Sequence, residues 1–63
     1  MNAFVITVVT EVNGKANYNQ VTIYKDGMKR SEAIAHAKKW EADLKAKGKY
    51  VLTYYVEEVI RLG

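Results

Sequence analysis

No cysteine and no proline occur in this chain, and histidine and serine appear once each, as His36 and Ser31. Without cysteine there is no disulfide, and a lone histidine leaves no zinc-binding set, so the two staples that support most mini-proteins are excluded. At 63 residues the chain makes one domain, residues 1–63, whose margin of stability is thin. Packing, alone or with oligomerisation, has to hold it together. The missing prolines, with no low-complexity run and no internal repeat, leave nothing that reads as a linker or a disordered tail. Long apolar runs are missing too: residues 3–9 are interrupted by Thr7 and fall far short of the roughly 20 residues that span a bilayer. Met1-Asn2-Ala3 also lacks the positive charges that open a secretory signal. The expectation is a cytoplasmic protein with no cofactor and no membrane partner.

What is present is β-branched and aromatic. Residues 3–12 and 16–24 form two such runs on either side of Asn13-Gly14. Asn-Gly suits a type I′ turn, in which both central residues take positive φ, so the runs are expected to form a hairpin. A two-residue loop places Val12 opposite Lys15 and then pairs Val8 with Asn19, Ile6 with Val21 and Phe4 with Ile23. These bulky apolar pairs share one face; Val9 with Tyr18, Thr7 with Gln20, Val5 with Thr22 and Ala3 with Tyr24 share the other.

Asp26-Gly27 breaks the strand pattern, and Ser31 followed by Glu32 reads as a helix N-cap with an acidic first turn. Ala33, Ile34, Ala37, Trp40 and Leu44 then recur at three- and four-residue steps, and Gly48 follows Lys45 and Lys47, so a helix is expected over about 31–47. Glu41 with Lys45 and Asp43 with Lys47 stand in the favourable i,i+4 order. Residues 49–61 make a third strand, with Leu52, Tyr54, Val56 and Ile60 assigned to the core parity and Val51, Thr53, Tyr55 and Glu57 to the other. A bulge near Glu57-Glu58 would switch the later residues. The expected fold is α+β: one ββαβ domain with strands at about 3–12, 16–24 and 49–61. Its sheet order is 2-1-3, with the apolar first strand central and one helix on one face.

Enzyme chemistry needs a nucleophile, base or metal held by convergent groups. Ser31 is explained by capping, and His36 lies off the apolar stripe at a solvated position. Glu57 and Glu58 are adjacent in a strand and point to opposite faces. Gly14, Gly27, Gly48 and Gly63 are isolated and make no phosphate loop. The expectation is a non-enzymatic protein with no catalytic residue.

The formal charge is +3, concentrated between Lys25 and Lys49, where eight basic residues face four acidic ones. Lys29, Arg30, Lys38, Lys39, Lys45 and Lys47 are therefore candidates for contact with nucleic acid or an acidic partner. Against this, the helix also carries acidic i,i+4 partners and lies across the sheet from the tyrosines, so charge and stacking surface do not meet. The sheet face without a helix is the stronger candidate. Val5, Val9, Tyr18, Thr22, Tyr24 and Tyr55, with Val51 beside them, give it more apolar and aromatic surface than water alone requires. Such patches mark interfaces with another protein or a second copy. The alternatives are a nucleic-acid-binding protein or a homodimeric accessory protein.

The order Phe4-Val5-Ile6-Thr7-Val8, Val21-Thr22-Ile23-Tyr24, the Glu-Ala-rich helix from Ser31 to Trp40, and Tyr50-Val51-Leu52-Thr53 resembles the layout of small bacteriophage host-takeover proteins. Among these it resembles the ββαβ inhibitors of bacterial RNA polymerase made by T7-like phages. The resemblance implies a small inhibitor that acts by binding. That family's contacts include arginines on the last strand, where this chain has Tyr54, Tyr55, Glu57 and Glu58, so no functional residue carries over. A sequence pI near 9.3 also excludes the acidic DNA mimics found among phage inhibitors.

Overall fold

The computed structural model describes residues 2–60, with the side chain of residue 2 excepted. Strand β1 (Asn2–Val12) and strand β2 (Lys15–Tyr24) are followed by helix α1 (Arg30–Ala46) and strand β3 (Tyr50–Ile60). The sheet has the order β2-β1-β3, and β1 is antiparallel to both neighbours. The expected continuation of β3 to position 61 lies outside the described residues.

Asn13 at φ 53° and Gly14 at φ 79° make the two-residue turn. Val12 pairs with Lys15, Val8 with Asn19, Ile6 with Val21 and Phe4 with Ile23, the register that the Asn-Gly turn dictates. Because side chains alternate along a strand, this register puts Phe4, Ile6 and Val8 on one face, where they are the largest fully buried side chains. Each contributes about 1.5–3 kcal/mol through burial.

Helix α1 covers that face. Ala33 in its N-terminal half packs with Met28, just before the helix, against Phe4, and its C-terminal half packs Ala37, Trp40 and Leu44 against Ile6 and Val8. The helix lies across β1 and β3 and does not reach over β2. Trp40 is therefore only partly buried at the margin of the helix, although the sequence suggests a largely buried residue. Val21, on the helix side of β2, is 44% exposed for the same reason.

The start of α1 differs from the sequence expectation. Lys29, not Ser31, is the N-cap, no side chain caps it, and Ser31 sits exposed inside the first turn. Met28 explains the shift. It immediately precedes the cap, is 8% exposed and packs on Ala33 four residues inside the helix, an arrangement that fixes the entry angle of the chain. The end follows expectation: Gly48 adopts φ 84°, its N–H donates to the Lys45 carbonyl, and the Lys49 N–H donates to the Leu44 carbonyl, which closes a Schellman motif.

Strand β3 is bulged, but earlier than expected. Val9 pairs with Thr53 and Thr10 with Val51, so Leu52 is the extra residue and the phase changes there, not at Glu57-Glu58. Two assignments are corrected as a result. Val51 belongs to the core, packed near Ile6 and Val8, and Leu52 is half exposed. Tyr54 and Val56 face α1 as expected. Ile60 shares their face but lies beyond the end of the helix that rests on Phe4, and it is 71% exposed.

Candidate interaction surface

The face of the sheet opposite α1 is built in cross-strand rows. Thr22, Val5 and Glu57 form one, Gln20, Thr7 and Tyr55 the next, and Tyr18, Val9 and Thr53 a third, with Tyr24 beside Ala3 and Val59 at one end. Register alone thus brings Val5, Val9, Tyr18, Thr22, Tyr24 and Tyr55 onto one surface. Val51, expected among them, is on the other side because of the bulge.

Within this surface the central strand is dry although no helix covers it. Ala3, Thr7 and Val9 are buried, and Val5 is partly buried, beneath the longer side chains of the flanking strands. Gln20 Nε2 donates to Thr7 Oγ1 at 3.1 Å, which satisfies the buried hydroxyl and ties β2 to β1. What a partner would meet is the ring of tall residues: Tyr18 is 65% exposed, Tyr24 54% and Tyr55 51%. Tyr18 and Tyr55 stand on opposite sides of β1, two strand spacings across and one row apart, or about 12 Å. Glu11 and Glu57 are the charges that the register places on this face, and both are acidic.

The basic residues do not converge. Lys29, Arg30, Lys38, Lys39, Lys45 and Lys47 are all exposed. Lys29 and Arg30 sit at one end of a helix about 25 Å long, and Lys45 and Lys47 at the other. At 100° per residue, Lys38 and Lys45 share one flank, Lys39 lies further round and Lys47 falls on the opposite flank. Glu41 accepts from Lys45 Nζ at 3.5 Å, and Glu32 is paired with Lys25 Nζ at 3.4 Å, which dilutes the positive field. The helix lies on the far side of the sheet from Tyr18, Tyr24 and Tyr55, so the cations and the rings do not share a surface.

His36 is exposed beside Glu32, Ala35 and Lys39 in a shallow depression of the helix surface. Among the described residues no three His, Cys, Asp or Glu side chains gather where a metal ion could be held. Glu57 and Glu58 pair with Val5 and Phe4, residues on opposite faces of β1. Among the described residues no helix is long and apolar enough to cross a membrane.

Sequence reasoning missed two features. One is the Thr7–Gln20 bond, whose only sequence signal is that the hairpin register sets two polar residues opposite each other. The other is a groove of about 500 Å³ between the α1 flank and the outer side of β3, lined by Arg30, Ile34, Thr53, Tyr54, Val56 and Glu57 among others. It follows from the position of the helix over β1 and β3, which periodicity does not report. Comparison with protein-family models, with curated proteins and with solved structures finds no match to this chain.

Proposed function

We propose that this domain is non-enzymatic and works by binding another protein through the open sheet face. The observation that carries the reading is a dry central strand framed by the exposed rings of Tyr18, Tyr24 and Tyr55. A surface of this kind is favourable to binding because little has to be ordered. The strand floor is already desolvated, and each tyrosine offers a large rigid body with a polar tip and only two torsions to fix. With Glu11 and Glu57 as its charges, the face suits an apolar patch rimmed by basic groups. The likeness in layout to phage host-takeover proteins gives this binding a purpose: a small inhibitor or modulator that occupies a host protein in the cytoplasm.

Affinity capture with the immobilised domain from bacterial lysate, repeated with variants, tests the proposal. Tyr18→Ser with Tyr24→Ser lies on β2 and should reduce specific capture at least about 30-fold, the equivalent of about 2 kcal/mol or more for aromatic anchors. The fold should stay cooperative, because both rings are more than half exposed and surface substitutions usually change stability by only about 0.5 kcal/mol each. Lys38→Glu with Lys39→Glu should capture the same proteins with a modest, salt-dependent change. Unchanged capture by the folded tyrosine variant would overturn the reading. A steeply salt-dependent retention of nucleic acid that disappears in the lysine variant would replace it with the alternative of a basic nucleic-acid-binding helix.

A further inference from the structure

The two edges of the sheet are not equivalent, and β3 has the composition of a strand that pairs. Edge strands are commonly guarded by charged side chains, lysine above all, by proline, by bulges or by a covering element, and of these β3 has only Glu57, Glu58 and the bulge at Leu52. Strand β3 contains no lysine and no proline, and it pairs with β1 alone. Among the described residues, five of the nine exposed large hydrophobic side chains, Tyr50, Leu52, Tyr55, Val59 and Ile60, lie on it, against three on β2.

The hairpin determines which backbone groups this edge offers. In a two-residue hairpin the residues flanking the turn, here Val12 and Lys15, bond to each other, and bonded pairs then alternate along the ladder. Even-numbered residues of β1 therefore bond toward β2, and odd-numbered ones toward β3. Their partners Thr53, Tyr55, Glu57 and Val59 use their N–H and C=O groups inward. Tyr54, Val56 and Glu58 point theirs outward, along an edge that is regular from the Leu52 bulge to the end of the strand.

Residues 52–60 are complementary to themselves when reversed about Val56. Leu52 then lies opposite Ile60, Thr53 opposite Val59, Tyr54 opposite Glu58, Tyr55 opposite Glu57, and Val56 opposite Val56. The two most exposed aliphatic residues of the strand cover one another, every glutamate meets a tyrosine, and no like charges face each other. On the helix side, Glu58 of the second copy would arrive beside Tyr54, which shares its groove with Arg30.

The shape of the chain fits the same partner. The radius of gyration is 12.7 Å, against about 10.6 Å for a compact domain of this length. The accessible surface is 4657 Å², against about 4,100 Å² for a compact monomer of 7.2 kDa. The excess, about 550 Å², reflects a chain extended along its strands, with long edges open to a partner. With disulfides absent, association is one of the ways to support so small a core.

We propose that residues 52–60 of β3 pair antiparallel with the same residues of a second copy, with Val56 on the two-fold axis, to form one six-stranded sheet. The axis stands perpendicular to the sheet, so both helices lie on one side and the two open faces join into one. The proposal does not rest on the open-face reading, whose tyrosine variants are on β2.

Light scattering over a dilution series reads the assembly directly, with the dimer expected at twice the 7.2 kDa chain mass. Thr53→Lys with Val59→Lys sets lysine against lysine twice across the seam and should give a single-chain mass. Thr53→Lys with Val59→Glu sets opposite charges at the same positions and should restore the dimer. Both positions are exposed on the monomer, so circular dichroism should remain native. The register is read by cross-linking, since an introduced cysteine is the only thiol. Val56→Cys places its Cα atoms about 5.5 Å apart, within disulfide reach. Leu52→Cys places them about 27 Å apart. The former should cross-link on mild oxidation and the latter should not. A wild-type single-chain mass at every concentration, a dimer that persists in the lysine pair, or equal cross-linking by both cysteines would overturn the proposal.

Discussion

Strands β2 and β3 flank the same central strand, yet they are held by different forces and present different edges. Strand β2 is attached locally, through the Asn13-Gly14 turn and a polar network, with Ile23 packed on the core and α1 not reaching over the strand. In that network Asn19 Nδ2 donates to the Val8 carbonyl at 3.1 Å and lies 3.2 Å from Thr10 Oγ1. Strand β3 comes from the far end of the chain and is held by packing, with Val51, Tyr54 and Val56 set against the helix and β1. Reversed about Gln20, β2 would set Asn17 against Ile23 and Asn19 against Val21, amide against aliphatic, whereas β3 reversed about Val56 sets Leu52 against Ile60, Val56 against itself and each glutamate against a tyrosine. The strand that closes the fold at long range is also the one whose outer edge complements itself.

The largest expected effect separates packing from turn chemistry. Trp40→Ala should destabilise the domain by about 2–4 kcal/mol, near the lower end for tryptophan truncation because part of the ring is already solvated. Urea denaturation at fixed protein concentration measures this. Native-state amide exchange should show β3 losing protection before the hairpin does, and equal loss in both strands would break the distinction between them. A smaller effect is expected on the other side. Asn19→Ala removes donors to Val8 and Thr10 and should cost about 1 kcal/mol, with the loosening confined to β2.

The hairpin was legible in the sequence because Asn13-Gly14 fixes a loop of two residues, and a two-residue loop leaves no freedom of register. Five of the six open-face residues, Val5, Val9, Tyr18, Thr22 and Tyr24, follow from that register alone. Val9 is nevertheless buried, because burial on a bare sheet depends on how its neighbours lean across it, which alternation does not encode. The facing of β3 was less legible. A bulge adds one residue without a fixed signature, and Leu52 in the middle of an apolar run looks like any core position. Ser31 loses the cap position to Lys29 because capping preference is worth about 1 kcal/mol, and burial of Met28 one residue before Lys29 outweighs it. The groove beside β3 was invisible because it depends on where the helix axis falls across the sheet.

The contrast between the two edges can be read in one measurement, residue-resolved hydrogen–deuterium exchange of the amides that point outward from each. The account predicts slow exchange at Tyr54, Val56 and Glu58 on β3, lost on dilution or in the Thr53→Lys, Val59→Lys variant. The outward amides of Tyr18, Gln20 and Thr22 on β2 should exchange quickly under every condition. Fast exchange at both edges, or protection of β2 alone, would contradict it.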